Sequence, residues 1–420
     1  MKNKLIYFLC IVTLIYGLVP RAYAAERIFM EEDTSEYELE EEFVFSPEIA
    51  RVMVGTDSFI DKPATTANFD VPCKAAFLVE ENSGRILYEK NCDDQVPMAS
   101  ITKIMTMLLV MESLDSGKIK LTDTVPISPH AFSMGGSQVW LEPGEIFTVD
   151  EMLKAVAVSS ANDAAVALAE FVGGSEESFC DMMNEKAKSL GMEKTHFVNA
   201  CGLDADGHYS SARDVSIMAR ELMKHEMIYN YTTIWMDYLR GGETQLVNTN
   251  KLLRSYNGIT GLKTGTTSKA GICICATAKR GDLSLVAVVL GSDSSQERFS
   301  AAKKLLDFGF SNFEVKKFPE TPDLPHNIKV KLGVAKMRDL NCDIPESLLF
   351  AKGSTDEITY EIDVPDSINA PMYKDMKVGS LVLRGAQGKI REYDITLSED
   401  VPKIDFKSAL GILTKKIGSM

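Results

Sequence analysis

Apolar residues recur at helical spacing in three stretches in the first half of the chain. The first begins at Ser100, and its periodic apolar residues are Ile101, Ile104, Met105, Leu108 and Leu109. Residues 149–158 and 162–171 carry two more such stretches, separated by a very short connection. Spacings of three and four predict helices, and the scarcity of polar side chains predicts that these helices are buried.

Residues 258–290 have the pattern of strands instead. A glycine-punctuated stretch at 258–262 is followed by an apolar run at 270–278, a turn at 280–282 and a second apolar run at 283–290. Two apolar runs joined by a short polar turn predict an antiparallel hairpin. These strands therefore predict a sheet that follows the helices in the sequence.

A second region follows a proline-bearing link at residues 318–325. Residues 328–332 and 379–384 alternate apolar and polar side chains, which is typical of strands with one buried face. Short strands with polar turns predict a small all-β sandwich, which we place at residues 313–403. Because this region contains no cluster of candidate catalytic side chains, we interpret it as a stalk or positioning module.

The first 24 residues have the three parts of a secretion signal. Lys2 and Lys4 precede an apolar run at residues 5–20, and residues 22–24 match a small-x-small cleavage site. A retained membrane anchor is the alternative, although the apolar run is short for a spanning helix. The signal predicts an exported, extracytoplasmic protein.

The ends of the exported chain are predicted to lie outside the two folded regions. Residues 25–67 include a densely acidic, aperiodic run, which predicts a disordered leader. Residues 404–420 predict a basic amphipathic helix, whose apolar face carries Phe406, Leu410, Leu413 and Ile417. Such a helix lies on an anionic membrane surface or packs against the sandwich, and the residues alone favour neither.

The charge of the chain argues against nucleic acid as a partner. The 420 residues carry 45 basic and 60 acidic side chains, a net charge of −15. Removal of residues 1–24 takes away Lys2, Lys4 and Arg21 but no acidic residue, so the net charge becomes −18. Binding to nucleic acid depends on cationic contacts with phosphate, which such a chain supplies poorly.

Seven cysteines remain after the signal peptide, and their odd number leaves at least one outside any intramolecular disulfide. They are Cys73, Cys92, Cys180, Cys201, Cys273, Cys275 and Cys342. Cys273 and Cys275 lie two positions apart in a predicted strand, which places them on one face and favours packing over pairing. No disulfide is predicted, although export permits them.

A serine and a lysine at the start of the first helix are the leading candidates for catalysis. Ser100 and Lys103 lie one helical turn apart, on the same face. A serine hydroxyl needs a neighbouring base, and a lysine can be that base only if burial or another cation lowers its pKa. The apolar helix would bury this pair, and the free N–H groups at a helix start favour developing negative charge.

An ordinary structural role is the alternative for this pair. Ser100 would then be a helix N-cap and Lys103 a solvated first-turn residue. A second Ser-x-x-Lys, at Ser300 and Lys303, has such a plain explanation, because it opens an amphipathic run whose lysines can face solvent. The order and spacing of further motifs must therefore decide.

Ser160 and Asn162 form the second motif, in the tight connection between the second and third helices. There, rigid elements can aim short polar side chains into a cleft. The alternative is that Asn162 or Asp163 only caps the third helix.

Lys263, Thr264 and Gly265 form the third motif, directly after the glycine-punctuated stretch. Gly265 has no side chain, so another backbone can approach this strand closely. Lys263 and the hydroxyls of Thr264 and Thr266 would supply positive charge and donors to an anionic group. The alternative is a lysine beside a turn on a solvent-facing edge.

In this order, the three motifs resemble those of the penicillin-recognising serine enzymes. Within that group the chain is most similar to the D-alanyl-D-alanine carboxypeptidases of the low-molecular-mass penicillin-binding proteins, and residues 202–214, 248–253 and 298–310 add to the similarity. The resemblance implies an α+β chain. A β-lactamase/DD-peptidase-like catalytic domain at residues 68–312, an antiparallel sheet flanked by helices, would precede the β-sandwich domain.

The resemblance implies a catalytic role for each matching residue. Ser100 would be the nucleophile that forms an acyl-enzyme, and Lys103 its general base. Ser160 would relay a proton to the leaving D-alanine, and Asn162 would hold the substrate amide. The backbone N–H groups of Ser100 and Thr266 would form an oxyanion hole.

The remaining candidates are assigned to substrate binding by the same resemblance. Lys263, Thr264 and Thr266 would bind the terminal carboxylate on the strand that Gly265 leaves open, and Arg298 would support it. Neither a metal nor a cofactor is implied. The five histidines show no His-x-x-x-His spacing, so each is interpreted as a surface or core residue.

The implied activity is removal of the terminal D-alanine from the stem pentapeptide of peptidoglycan, with β-lactam antibiotics as inhibitors. The resemblance places the protein at the outer face of the cytoplasmic membrane or in the cell wall, and favours a membrane contact for the tail helix. The alternatives are a DD-transpeptidase, which differs only in the acceptor, a DD-endopeptidase, a β-lactamase and a non-catalytic peptidoglycan-binding module. A class A β-lactamase would need Glu-x-x-Leu-Asn, and the nearest run, at residues 243–248, is one residue too long.

Overall fold

The computed structural model describes residues 69–317, 324–344, 347–353, 358–385 and 388–409. The predicted signal peptide at residues 1–24 and the predicted acidic leader at 25–67 lie outside these residues. So does most of the predicted tail helix, of which residues 406–409 are helical. Among the described helices, none combines the length and the apolar character that crossing a membrane requires.

An antiparallel sheet lies at the centre of the first folded region. The described strands of this region are β1 (Ala75–Glu80), β2 (Ile86–Lys90), β3 (Thr124–Val125), β4 (Phe147–Thr148), β5 (Met236–Leu239), β6 (Thr244–Val247), β7 (Ile259–Thr267), β8 (Gly271–Arg280) and β9 (Leu283–Ser292). The sheet has the order β2-β1-β9-β8-β7, while β3 pairs with β4 and β5 with β6. The predicted hairpin is β8 and β9, which pair antiparallel.

Helices cover both faces of this sheet. The described α-helices of this region are α1 (Lys103–Asp115), α2 (Pro129–Phe132), α3 (Val149–Val158), α4 (Asn162–Gly173), α5 (Glu176–Ser189), α6 (Ala212–Met223), α7 (Tyr229–Thr232), α8 (Leu252–Ser255) and α9 (Ser295–Asn312), with 3-10 turns at Ala99–Thr102, Glu226–Ile228 and Arg240–Gly242. Successive strand residues point to opposite faces. Val286 and Val288 of β9 therefore join the core that includes α1, whereas Leu285 and Ala287 pack with α9.

The helix α1 is the most enclosed element and carries the first motif. Its residues from Lys103 to Met111 are all buried, polar ones included. A helix that is apolar on nearly every side is stable only inside a protein. Lys103 is therefore taken out of water together with its helix.

The predicted second and third helices are α3 and α4, and both begin at the predicted residues. Thr148 forms a capping box with Glu151, which fixes the start of α3. The N-cap of α4 is Ala161, and no side chain caps it. The alternative in which Asn162 or Asp163 caps this helix is therefore wrong, because both lie inside its first turn.

The second folded region is all-β, which together with the first confirms the predicted fold class. Its described strands are β10 (Phe313–Lys317), β11 (Asn327–Lys331), β12 (Met337–Asn341), β13 (Ser347–Ala351), β14 (Thr359–Asp363), β15 (Ser367–Asn369), β16 (Lys377–Gly385) and β17 (Gly388–Leu397). One sheet has the order β14-β16-β17-β12-β11-β15, and β10 pairs with β13. Leu348 and Phe350 of β13 share an apolar cluster with Leu381, Leu383 and Ile395 of the larger sheet. Two sheets with an apolar layer between them form a sandwich.

Every described cysteine is a free thiol. Cys273 and Cys275 are buried on β8, so the prediction that they pack rather than pair is confirmed. Burial raises the pKa of the Cys73 and Cys273 thiols to about 11, and that of Cys92 and Cys180 to about 12. These four thiols therefore stay protonated at neutral pH.

Candidate active site

Ser100 lies in a 3-10 turn, Ala99–Thr102, that leads directly into α1. The sequence predicts that the helix begins at Ser100, and here the structure differs, because regular α-helix starts only at Lys103. Ala99 has a left-handed φ of 51°, so regular α-helix cannot extend back through the residue before the serine. The Thr102 hydroxyl donates to the Ala99 carbonyl at 2.8 Å and closes this turn.

Lys103 points from α1 toward Ser100. Its Nζ lies 2.9 Å from the Ser100 Oγ, 2.6 Å from the Asn162 Oδ1 and 2.6 Å from the Cys201 carbonyl oxygen. The lysine is 0% exposed. The alternative in which Lys103 is a solvated first-turn residue is therefore wrong.

Burial lowers the pKa of Lys103 from 10.5 to about 8, and the groups of Cys201 and Asp163 offset part of that shift. A neutral amine has two N–H groups and one lone pair. The Asn162 Oδ1 and the Cys201 carbonyl can only accept, so they take the two N–H groups. The lone pair is then directed at the Ser100 hydroxyl, which is the arrangement that a general base requires.

The connection between α3 and α4 is fixed to a neighbouring loop. The Asn162 Nδ2 donates to the Gly135 carbonyl at 2.6 Å, and its backbone N–H donates to the Ser137 carbonyl at 2.7 Å. These bonds hold the Asn162 Oδ1 toward Lys103. Ser160, two residues earlier, is buried at a left-handed φ of 61°, so the chain turns sharply at this point.

Gly265 brings β7 against the turn that carries Ser100. A Cβ atom at this position would lie 2.9 Å from the Ser100 backbone N and 3.0 Å from the Met98 carbonyl oxygen. Backbone atoms cannot rotate away from such a contact. The prediction that Gly265 permits another backbone to approach closely is confirmed.

Thr264 joins β7 to the end of α3. Its hydroxyl donates to the Thr249 Oγ1 at 2.6 Å, and the Thr249 N–H donates to the Val158 carbonyl at 3.3 Å. Val158 is only two residues from Ser160. The second and third motifs are therefore connected through Thr249.

Lys263 is buried on β7, and its Nζ donates to the Thr264 carbonyl at 3.1 Å. The pKa of Lys263 is held well below 10.5, first by burial and then by the positive charges of Lys103 and Arg298. The interpretation of Lys263 as a lysine on a solvent-facing edge is therefore wrong. The two lysines and the arginine form one cationic region.

Arg298 and Thr266 lie at the margins of this region. Arg298 is buried on α9 and donates to the Cys273 carbonyl at 3.3 Å and to the Ser295 Oγ at 3.2 Å. Cys273 is paired with Gly265 in the β7–β8 ladder, so Arg298 lies across that ladder from the third motif. Thr266 is exposed on β7.

The other Ser-x-x-Lys lies in the interior of α9, with Ser300 exposed. Lys303 is partly buried on the same helix. The expectation that Ser300 opens this helix is wrong, because α9 begins at Ser295; the pair lies on the helix that covers the other face of the sheet from α1.

Three contributors to this geometry were not singled out from the sequence. Cys201 supplies a backbone carbonyl, which every residue has, so its side chain gives no signal. Thr102 and His208 form a buried contact of 2.7 Å between residues that are far apart in sequence. The one signal in the sequence for this geometry is the glycine at position 202. The structure shows why a side chain is excluded there, since Gly202 has a φ of 89° and lies against the Ala99 carbonyl.

Comparison with known proteins places this geometry in context. Residues 62–294 match the family model described as D-alanyl-D-alanine carboxypeptidase. Residues 313–403 match the model described as penicillin-binding protein 5, C-terminal domain. Together, these two matches cover both folded regions except α9, which lies between them.

Individual relatives agree with these matches. The chain is 45% identical over 350 residues to D-alanyl-D-alanine carboxypeptidase DacF of Bacillus subtilis, covering 81% of this chain and 90% of that protein. It resembles the crystal structure of penicillin-binding protein 5 from Haemophilus influenzae with a TM-score of 0.71 and 29% identity, over 81% of this chain and all of that one. Penicillin-binding protein D2 from Listeria monocytogenes, in its cefotaxime-bound form, gives a TM-score of 0.54 and 32% identity over 58% of this chain and all of that one.

We predict that Lys103 and Lys263 titrate apart from the exposed lysines and depend on each other. In protein labelled with ¹³C at lysine Cε, the Lys103 resonance should titrate near pH 8 by NMR. Lys103→Met removes a positive charge that lowers the pKa of Lys263, so the Lys263 titration should move to higher pH. Lys224→Met, at an exposed position, is the control and should move neither. A Lys263 titration unchanged in Lys103→Met would contradict the cationic region described here.

Proposed function

The chain belongs to the D-alanyl-D-alanine carboxypeptidase family of serine peptidases, and we propose that Ser100 carries out its cleavage through an acyl-enzyme. The observation that carries this proposal is the buried Lys103 Nζ, 2.9 Å from the Ser100 Oγ and with a pKa lowered to about 8. The substrate is the stem pentapeptide of peptidoglycan, which ends in D-Ala-D-Ala. The reaction consumes one water and releases one D-alanine.

Acylation begins at the bond between the last two D-alanines. The Ser100 Oγ attacks the carbonyl carbon of this bond, and neutral Lys103 takes the hydroxyl proton. The C–N bond breaks, and a proton passes through Ser160 to the leaving amine. D-Alanine departs, and the rest of the peptide stays on Ser100 as an ester.

Deacylation uses water as the acceptor. Lys103 takes a proton from the water, whose oxygen attacks the ester carbon. The bond to the Ser100 Oγ breaks and the serine regains its proton, which leaves the shortened peptide as a carboxylate. An amine acceptor in place of water would instead give a cross-linked product, as in a DD-transpeptidase.

The groups around Ser100 are suited to the charges that form. The N–H groups of Ser100 and Thr266, which Gly265 allows to lie near each other, would stabilise the oxyanion, and loss of one such donor typically costs about 3–4 kcal/mol. Lys263, with the hydroxyls of Thr264 and Thr266, would bind the substrate carboxylate, and Arg298 would support it. An incoming carboxylate would stabilise the protonated form of Lys263, which burial otherwise disfavours.

β-Lactam antibiotics would acylate Ser100 by the same route. A β-lactam presents an activated amide carbonyl beside a carboxylate, as the peptide does. The cefotaxime-bound structure of the similar Listeria protein supports this proposal.

We further propose that the protein acts outside the cytoplasm. Residues 1–24 would direct export, and residues 25–67 would form a spacer ahead of the catalytic domain at 68–312. The β-sandwich domain at 313–403 would position that domain at the cell wall. The basic amphipathic segment at 404–420 would touch the membrane surface.

We predict that Ser100→Ala abolishes D-alanine release from a pentapeptide that ends in D-Ala-D-Ala. Loss of a covalent nucleophile should lower kcat by at least about 10⁴-fold. Mass spectrometry after penicillin treatment should find an adduct on Ser100 of the wild type and none on the variant. Ser300→Ala, which removes the exposed serine of the other Ser-x-x-Lys, is the matched control and should keep both properties.

Three outcomes of this assay would overturn the proposal. Cross-linked peptide dimers in place of free D-alanine would identify a transpeptidase. Rapid turnover of penicillin by the wild type would identify a β-lactamase. The absence of any adduct on the wild type would leave a non-catalytic binding module.

We predict that the mature protein begins at Ala25 and fractionates with the membrane. N-terminal sequencing of protein expressed from the full gene in a bacterium should find residues 1–24 removed. Deletion of residues 404–420 should move the protein to the soluble extracytoplasmic fraction, because the amphipathic segment is lost. Retention of Met1 would instead show an N-terminal anchor, and membrane association without the tail would remove its proposed role.

A further inference from the structure

A buried histidine lies beneath the turn that carries the nucleophile. The His208 Nε2 is 2.7 Å from the Thr102 Oγ1, and the Thr102 hydroxyl donates to the Ala99 carbonyl at 2.8 Å. His208 is 5% exposed and Thr102 is fully buried. A continuous path of hydrogen bonds therefore runs from His208 to the residue before Ser100.

The position of each hydrogen in this path follows from its partners. The Val198 backbone N–H can only donate, and it meets the His208 Nδ1 at 3.0 Å, so Nδ1 is an acceptor. The proton of the neutral ring is then on Nε2, which donates to the Thr102 Oγ1. The Thr102 hydroxyl in turn donates a hydrogen bond to the Ala99 carbonyl. The path has one direction, and every donor of its two side chains and of the Val198 N–H has an acceptor.

Ala99 is a position that needs such support. A left-handed φ is unfavourable for a residue with a side chain and persists only where the surroundings impose it. Its carbonyl also packs against Gly202, where a Cβ would lie only 2.0 Å away. Gly202 follows Cys201, whose carbonyl accepts from Lys103. The Ala99 carbonyl therefore contacts two parts of the site, the turn that carries Ser100 and the loop whose Cys201 carbonyl accepts from Lys103.

We propose that His208, acting through Thr102, is a positioning residue for acylation, because it holds the turn that brings the Ser100 hydroxyl to Lys103. This inference rests on the proposed role of Ser100 as nucleophile. His208 does not touch the substrate in this proposal. Its function is to fix the Ala99 carbonyl, and with it the direction of the Ser100 Oγ.

The ring remains neutral in this environment. Burial, and then the charge of His196, lower the pKa of His208 to about 4, with a small opposing effect of Asp204. A protonated ring would place a second N–H on Nδ1, facing the Val198 N–H. The observed path therefore persists throughout the neutral range in which Lys103 gains its basic form.

The test compares two pairs of variants. His208→Gln retains an N–H donor near the position of Nε2, whereas His208→Leu removes it at similar size. Thr102→Ser retains the hydroxyl, whereas Thr102→Val removes it. Acylation by a chromogenic β-lactam is followed by stopped flow, which separates the rate constant of acylation from the dissociation constant of the initial complex.

We predict that His208→Leu and Thr102→Val lower the acylation rate constant by about 10-fold or more, with the dissociation constant changed less than about 2-fold. This split is expected because a misdirected nucleophile affects the bonding step alone. His208→Gln and Thr102→Ser should stay within about 3-fold of the wild type. The thermal midpoint of each of the four variants reports whether it folds. If His208→Leu does not fold, the comparison of Thr102→Ser with Thr102→Val tests the proposal instead.

Two results would overturn the proposal. One is acylation of His208→Leu and Thr102→Val at the wild-type rate. The other is an equal loss in both members of each pair, which would indicate that only packing volume matters. Failure of the proposed function is separate, because the wild type itself would then form no adduct on Ser100.

A second, independent observation concerns Trp140, which is 66% exposed yet has a left-handed φ of 50°. The buried Asp163 carboxylate accepts from the Val139 and Leu141 N–H groups, each at 3.1 Å. Arg240 donates to the Val139 and Trp140 carbonyls, each at 2.9 Å. Two charged side chains therefore hold the backbone on both sides of an indole that faces solvent.

This loop is continuous with the candidate active site. Gly136 contacts the Asn162 amide, because a Cβ on Gly136 would lie 2.7 Å from its Nδ2. Trp140 follows four residues later, which limits its Cα to about 14 Å from Gly136. The last two residues of an extended peptide span only about 7 Å. This upper limit allows Trp140 to contact the part of the substrate that precedes D-Ala-D-Ala.

We infer that Trp140 determines specificity by contacting the aliphatic side chain of the substrate residue that precedes the two D-alanines. This inference also rests on the proposed function. An exposed indole offers a large rigid apolar face at little cost in conformational entropy. The strained backbone is the mark of a residue whose direction is imposed by its surroundings.

The test uses two substrates, acetyl-D-Ala-D-Ala and a peptide with a long aliphatic side chain before D-Ala-D-Ala. We predict that Trp140→Ala lowers kcat/KM for the long substrate by about 10-fold and for the short one by less than about 2-fold. Trp140→Phe should retain most of the difference, and Phe132→Ala, at another exposed aromatic, is the control. Equal effects on both substrates, or none on either, would overturn this inference. A wild type that releases D-alanine from neither substrate would instead refute the proposed function.

Discussion

The arrangement of the site depends on one buried amine. Lys103 has no exposed surface, and the two acceptors that hold its N–H groups lie 59 and 98 residues further along the chain. An ammonium group in such surroundings is disfavoured, so it is tolerated only with fixed partners and gives up its proton readily. The burial that makes this lysine costly to fold therefore also increases the fraction of its neutral, proton-accepting form near neutral pH. The fold has to bring Asn162 and Cys201 together for that to happen.

Direct backbone contacts supply the rest of the geometry. Gly265 approaches the turn of Ser100 from β7, and Gly202 approaches it from the loop that follows Cys201. A methyl group at either position would meet backbone atoms, which cannot move aside as a flexible side chain can. Gly265 therefore sets how closely the sheet approaches the turn before α1, and Gly202 does the same for its loop. The approach of the sheet allows Lys263 to stand beside Lys103 and form the cationic region.

The sequence predicted those features that depend on near neighbours or on side-chain type. Apolar periodicity located α3, α4 and the β8–β9 hairpin, and the chemistry of serine, lysine and asparagine identified the motif residues. It did not predict the 3-10 turn at Ser100, because the left-handed Ala99 is supported by Gly202, about a hundred residues away. Nor could it predict the Cys201 carbonyl or the contact between Thr102 and His208, which arise only from the tertiary fold. The catalytic roles of the motif residues stay proposals.

The free thiols have a consequence for how this chain matures. Cysteines whose burial keeps them protonated exchange with disulfides slowly, because the attacking species is the thiolate. The described fold is held by its apolar cores and hydrogen bonds and contains no covalent cross-link. Reaching the described fold therefore requires no disulfide bond to form.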